Sequence, residues 1–261
     1  MLILSKKHKG VNVIDCWYAG QRPDRKGIIR YREALMPVGD KPREFHTLVS
    51  DLTKTEDEIL ADFTKNCRYE VRRAQREGIT NEFYLGGGIT ETQIAEFGDY
   101  FQEFWKSKGT IYTDQEKEKC REQIRQYAQA GAFAITAAKA DGEILVFHTY
   151  IVDEAYARLY QSASWFRTDE RVSANTVGYA NRALHYADML WFKGMGKTRY
   201  DWGGAGTEKE VESITRFKES FGGIPRVYYD GEEAVGISAG LYRKLTDLIG
   251  ALTEKRPGKG D

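Results

Sequence analysis

Asp201, Gly203, Gly204 and Lys218 are the residues whose types and spacing could do chemistry together. They fall within residues 199–229, RYDWGGAGTEKEVESITRFKESFGGIPRVYY. Asp201 ends a strand-like Tyr200-Asp201-Trp202 run. It can serve as a base, orient Lys218 or a loop amide, or cap the glycine turn that follows. Gly204, Ala205 and Gly206 leave little side-chain cover, so a ligand could approach the backbone there. Ile214, Phe217 and Phe221 recur at spacings of 3 and 4, which predicts one apolar helical face. Lys218 stands one residue round from Phe217, beside that face. A lysine near a helix C-terminus also suits the helix dipole, so a surface role fits the spacing too. Gly222-Gly223 stops the helix and Pro225 prevents its resumption.

Other candidates are scattered along the chain. Tyr160 and Tyr200 could deliver a proton to a leaving group, although 16 tyrosines make plain packing as good a reading. Arg68, Arg72 and Arg76 lie at i, i+4 and i+8, one helical stripe. That stripe is either a solvated face paired with Glu70 and Glu77 or a phosphate-facing patch. Arg167 and Arg171 flank the start of a long predicted helix, where backbone N–H groups favour anions. His8, His46, His148 and His185 are dispersed and offer no metal constellation. His148 and His185 are plausible bases by chemistry alone, but a lone histidine on an apolar face is more often a satisfied core residue.

The elements that must position these residues follow from pattern. The chain is long enough for one large domain or two small ones. Its 39 basic residues balance 39 acidic ones, so any attraction for nucleic acid or membrane must be local. Cys16, Cys67 and Cys120 have neither disulfide nor metal spacing, which fits a reducing cytoplasm. No apolar run reaches the roughly 18 residues of a membrane span. Short strands are expected at 11–14, 27–32 and 45–49, making residues 1–52 a β-rich segment. A capping box at Thr53 and Glu56 opens an arginine-rich linking helix to about Glu77, within 53–78. Its stripe is Leu60, Phe63, Cys67, Val71 and Ala74. Residues 79–252 form the main domain, and 253–261 a flexible tail. Within the main domain come a strand at 79–85 and two helices opened by Thr90/Gln93 and Thr113/Glu116 boxes. Strands 132–138 and 144–152 follow, joined by an Asp141-Gly142 turn of type I′. Then come the strand YARLYQSASW and a long helix striped by Val177, Ala180, Leu184, Ala187 and Trp191. Ser173 or Asn175 caps that helix. A strand or hairpin around Asp230-Gly231 and a helix near 241–252 complete the order. The hairpin suits antiparallel pairing, and the long helix suits a parallel crossover. The expected fold is α/β (α+β): a mixed sheet with helices on both faces, plus the short N-terminal β-rich extension.

That order is similar to the Gcn5-related N-acetyltransferase (GNAT) fold. CRYEVRRAQREGI (67–79), YQSASW (160–165) and YDWGG…RFKESFGG (200–223) together resemble the Fem family of aminoacyl- and acyltransferases. The resemblance covers roughly residues 45–235. It implies a site where two parallel strands splay, between 160–165 and 200–204. It puts Lys218 at the point of transfer, where its charge can stabilise the reacting carbonyl. Asp201 and Tyr200 join it as catalytic candidates. Phe217, Tyr160, Ser162, Ser164, Gly203 and Gly204 would line the substrate, with Arg167, Arg171, Arg68 and Arg72 toward its anionic parts. The donor is activated already, so neither metal nor nucleotide hydrolysis is required.

Two classes of function follow. The first is a cytoplasmic transferase moving an acyl group to an amine or hydroxyl of a small molecule, or of a cell-envelope sugar or peptide precursor. Neutral charge and a single domain favour acyl-CoA as donor; the F-K-x-x-F-G-G motif and the arginine helix favour aminoacyl-tRNA, making tRNA a partner. The second is a non-catalytic domain that recognises a glycan or nucleotide-sugar.

Overall fold

The computed structural model describes residues 1–164, 172–206 and 209–254, with side chains for all of these but 209–211 and 247–254. The chain divides into two compact units, Met1–Phe45 with Val227–Asp261, and His46–Arg226.

In the first unit, β1 (Leu2–His8) pairs antiparallel with β2 (Val11–Trp17). The turn between them has positive φ at both Lys9 and Gly10, as a two-residue hairpin requires. β2 then pairs parallel with β3 (Gly27–Ala34). The sequence reading had no counterpart for β1, because LILSKKH lacks the alternation that marks a half-buried strand. β10 (Ile224–Val235) returns from the far end of the chain to pair antiparallel with β3. It is a single strand rather than a hairpin. Asp230-Gly231 produces a bulge in it, and Asp230 Oδ1 accepts from the Glu33 backbone at 2.9 Å. The core here is Ile14, Cys16, Ala19, Ile29, Tyr31 and Ala34. Ala239 of α7 (Ile237–Glu254) covers Val11 and Ile28.

The second unit carries the candidate site. β4 (Asp40–Asp51) brings the chain into it. Two helices follow where one is expected. α1 (Glu56–Asp62) is capped by Thr55 with Glu58, two residues beyond the expected Thr53/Glu56 box. The chain leaves helical geometry at Phe63 and restarts at α2 (Lys65–Arg76) with Thr64 as N-cap. Phe63, Cys67, Val71 and Ala74 are buried as their spacing predicts. Apolar periodicity alone does not separate one helix from two that share a face.

β5 (Thr80–Leu85), α3 (Glu91–Ser107) and α4 (Asp114–Gln129) come next, with both expected capping boxes formed. β6 (Phe133–Ala140) and β7 (Glu143–Val152) make the hairpin, with Asp141 and Gly142 both at positive φ. β8 (Tyr156–Ser164), α5 (Ala174–Gly194, capped by Ser173) and β9 (Arg199–Asp201) form the crossover, and β8 and β9 are parallel. α6 (Lys209–Glu219) closes the unit. Strand order is β4-β9-β8-β7-β6-β5, and every pairing but β8–β9 is antiparallel. This is the mixed sheet expected.

Helices cover both faces of it, as β7 shows. Successive strand residues point to opposite sides. Phe147 meets Phe97 and Tyr100 of α3, while His148 and Tyr150 meet α5. α5 buries more than one stripe. Val177, Ala180 and Leu184 pack on β6 and β7 as expected, whereas Ala187 and Trp191 are only half-buried. Ala183, His185, Asp188, Met189 and Phe192 are buried as well. Among the described residues no helix is long and apolar enough to cross a membrane.

Candidate active site

Hydrogen bonding between β8 and β9 stops after Asp201, where a splay is expected, and its cause is visible in the backbone. The two strands pair only from Tyr156↔Arg199 to Arg158↔Asp201. Beyond Asp201 the chain turns its hydrogen bonds to β4: Trp202 N–H donates to Leu48 O at 3.0 Å and Ala205 N–H to His46 O at 2.8 Å. β8 therefore runs on through residues 159–164 without β9 beside it. Tyr160 sits at a bulge there, the extra residue between Leu159 and Gln161 where the register with β7 slips. Bulges re-aim side chains beside active sites. The Tyr160 hydroxyl accepts from Gln123 of α4 at 3.2 Å. Ser162 and Ser164 lie on the same run, opposite His148 and Val146 of β7.

Gly203 brings the loop hard against β8. It has φ of +65°, and a Cβ placed on it would stand 2.1 Å from Leu159 O. Only glycine lets the loop come this near β8. Asp201, fully buried, fixes the turn: Oδ1 accepts from Gly203 N–H at 2.9 Å and from Thr47 Oγ1 at 2.7 Å. Thr47 Oγ1 in turn accepts from Gly204 N–H at 3.2 Å. The carboxylate thus stands in its turn-capping role.

Lys218 is buried on α6 and donates from Nζ to Gly204 O at 2.6 Å. The loop and the helix are also joined through Thr215, whose Oγ1 accepts from Gly206 N–H at 3.1 Å and donates to Gly206 O at 2.9 Å. The apolar face of α6 is shorter than its spacing predicts. Ile214 is 52% exposed, and burial begins only at Phe217 and completes at Phe221. Phe221 packs on Trp202 and Phe63. Gly222 then lies so close to Asp62 O that a Cβ would meet it at 2.6 Å. The F-K-x-x-F-G-G segment is thus a joint between the glycine loop and the end of α1.

The largest departure from the sequence reading is a buried polar network beneath Lys218. His148 and His185, read as dispersed, stack with ring centroids 3.9 Å apart and planes 24° apart. β7 supplies His148 and Tyr150; α5 supplies Asn181, His185 and Asp188; β9 supplies Tyr200. His148, Tyr150, His185, Asp188 and Tyr200 are all essentially inaccessible. Tyr150 OH and His148 Nδ1 (2.8 Å) both donate to Asp188 Oδ2. Tyr150 has then spent its proton. Tyr200 OH, 2.8 Å away, must donate to Tyr150 and can only accept from His185 Nδ1 at 2.7 Å. Counting protons along the chain places hydrogen on His185 Nδ1 and leaves Nε2 bare. Asn181 meets His148 Nε2 at 2.8 Å, and its amide can present either end.

His148, His185 and Asp188 offer donor atoms within 4.8 Å of one another, the spacing of a metal site. Stacked imidazoles do not suit one: their in-plane lone pairs run side by side instead of converging on a common ion. Both Nδ1 atoms are also already hydrogen-bonded. Sequence offered one signal for this network. Asn181, His185 and Asp188 recur at 4 and 3, a polar stripe at core spacing along an otherwise apolar helix.

Burial, with smaller contributions from His148, Lys218 and Arg182, pushes the His185 pKa well below its ordinary 6.5. Burial likewise pushes Tyr150 and Tyr200 well above 10. Burial raises Cys16 and Cys67 to about 11 and raises Cys120, so none of the three is a ready thiolate nucleophile. The His185 shift has a stability consequence. Below pH 6.5 the unfolded histidine binds a proton that the folded one refuses, so stability falls as pH drops through that value. Urea melts between about pH 6.5 and 5 should show up to about 1.4 kcal/mol lost per pH unit from this group, and His185→Gln should remove that component.

The remaining candidates are placed as follows. Phe217 borders His185 at 5.6 Å between ring centroids and carries the Arg182 guanidinium at 4.9 Å. Arg68 donates from Nη1 to Ala61 O at 2.9 Å and to Phe63 O, holding the end of α1. Arg72 is exposed on α2. Glu70 pairs with Arg182 of α5 and Glu77 with Arg73, so neither pairs with the Arg68–Arg76 stripe. Arg167 and Arg171 lie outside the described residues. Tyr200, Asp201, Gly203, Gly204, Phe217 and Lys218 are therefore brought together in one place. Arg68 and Arg72 are not part of that cluster.

No protein-family model matches the chain, and no curated protein matches it. Solved structures do. The crystal structure of FemX aligns with TM-score 0.57 and 15% identity, over 76% of this chain and 63% of FemX. The chain has the fold of FemX. It spans less than two thirds of FemX's own length. L-PGS from Bacillus licheniformis aligns with TM-score 0.53 and 15% identity, over 94% of this chain and 84% of L-PGS. A conserved protein of unknown function from Bacteroides thetaiotaomicron VPI-5482 aligns with TM-score 0.51 and 9% identity, covering 73% and 61%. At such identities the likeness carries the fold, and the Fem resemblance read from three short motifs holds at that level.

Proposed function

We propose that the chain is a transferase that moves an acyl group from an activated donor to an amine or hydroxyl in the opening between β8 and β9. The observation that carries this reading is the buried Lys218 ammonium, held 2.6 Å from Gly204 O at the wall of that opening. A fixed cation in a site of low polarity favours negative charge developing on an acyl oxygen. The bulged run of β8, freed from β9, supplies backbone groups against which an extended donor can align. Acyl-CoA is the favoured donor, and aminoacyl-tRNA the alternative, since exposed Arg72 on α2 suits a longer anionic partner. The acceptor class is a small amine or hydroxyl compound, with cell-envelope sugar and peptide precursors foremost.

Mass spectrometry of the protein incubated with acyl-CoAs, then with charged tRNAs, and a panel of amino-sugars and peptides tests this. The expected result is one acceptor gaining one acyl mass with one donor class. No transfer with any donor, together with tight glycan binding, would establish the non-catalytic reading instead.

A further inference from the structure

Resting on that transfer reading, we propose that His185 Nε2 accepts the proton of the attacking group, and that Tyr200, Tyr150 and Asp188 are positioning residues that keep it in the basic tautomer. The argument is geometric. Asp188, Tyr150, Tyr200 and His185 form a continuous path of hydrogen bonds from a buried carboxylate to a ring nitrogen, with His148 branching from it at Asp188. Four buried polar side chains cost stability that apolar packing would not. A base whose second nitrogen is oriented by a further group is the recurrent arrangement for activating a nucleophile. Nε2 has no hydrogen-bond partner among the described residues. The ring packs against Trp202, at 4.8 Å, and Phe217, at 5.6 Å, which precede Gly203 and Lys218 in the chain. The Lys218 ammonium, which bonds Gly204 O, lies near enough to the ring to bear on its charge. Burial pushes the His185 pKa down, in keeping with a ring held in its neutral form.

In the step, the acceptor lone pair attacks the acyl carbonyl as its N–H or O–H proton passes to Nε2 through one water. The new C–N or C–O bond forms. The donor's C–S or C–O bond breaks, and the leaving thiolate or alkoxide takes the proton from the imidazolium. Atoms and charge balance as acyl–X plus H–acceptor giving acyl–acceptor plus HX. Throughout, Nδ1–H keeps its bond to Tyr200, and the Asp188 carboxylate at the far end favours the transient positive charge.

The test is kcat against pH for wild type, His185→Gln and Tyr200→Phe with the donor and acceptor found above, alongside 15N NMR of the histidine rings. Charged and titratable groups bearing on the profile are His148 and Tyr150 from β7, Arg182 and Asp188 from α5, Tyr200 from β9 and Lys218 from α6. Wild type should show an acid limb below pH 6.5 and a His185 ring protonated on Nδ1. His185→Gln should lose about 100- to 1,000-fold in kcat, and the limb with it. Tyr200→Phe should lose about 10-fold and shift the limb, with the single tautomer gone from the spectrum. Transfer by His185→Gln within about threefold of wild type, with a native near-UV spectrum, would overturn the proposal and leave the transferase reading standing. A wild-type ring protonated on Nε2 would overturn it independently. Wild-type protein that transfers nothing would end both. If His185→Gln does not fold, the Tyr200→Phe profile and the tautomer decide.

Discussion

Lys218→Met should lower the turnover of acyl transfer about 100- to 1,000-fold while the protein stays folded, the effect expected when one preorganised charge is removed from a developing oxyanion. Methionine keeps the apolar stem of lysine out to Cε, so most of the side chain's packing is preserved. What disappears is the ammonium at Gly204 O. Loss of that bond costs stability as well, about 1 kcal/mol for a carbonyl that water can reach. The two contributions separate cleanly, because the kinetic loss is far larger than the thermodynamic one. Steady-state kinetics with saturating donor, read beside a urea melt, checks both. Turnover within about threefold of wild type would make Lys218 a structural tether for the glycine loop and nothing more.

Gly203→Ala should be the most damaging single substitution at the site. The added Cβ would lie 2.1 Å from Leu159 O, a backbone atom of β8 that moves only if the strand moves. The positive φ adds its own strain. Together these place the loss above about 4 kcal/mol, in the range where small domains cease to fold. Gly87→Ala is the matched control, since nothing lies within 4 Å of a Cβ there and its φ is ordinary. The control should melt within about 0.5 kcal/mol of wild type. A Gly203→Ala protein equally stable would mean that the loop does not need its close approach to β8.

Much of this arrangement was legible before any coordinates. The Asp141-Gly142 turn, the Thr90/Gln93 and Thr113/Glu116 boxes and the parallel crossover through α5 are local signals, each written within a few residues or fixed by element order. The motif YDWGG…RFKESFGG located the glycine loop and Lys218 for the same reason. Local signals also misled where two elements share one face. Phe63 continues the apolar stripe of α1 into α2, and only the Thr64 cap marks the break. Ile214 keeps the helical spacing of Phe217 but stands outside the core, because among the described residues of α6 burial is found only in the last turn.

What the sequence alone determined is the order of elements, the chemistry of their turns and caps, and the place of the glycine loop and Lys218 in the chain. Those depend on interactions between neighbours in the chain. What only the tertiary structure decided is the company each residue keeps. β10 finds β3 across some two hundred positions, and His148, Tyr150, His185, Asp188 and Tyr200 converge from three elements into one hydrogen-bonded line. No local pattern can specify such a line. Each of its polar side chains is costly to bury alone and becomes tolerable only when the others arrive, so the network exists as a property of the fold and not of any segment within it.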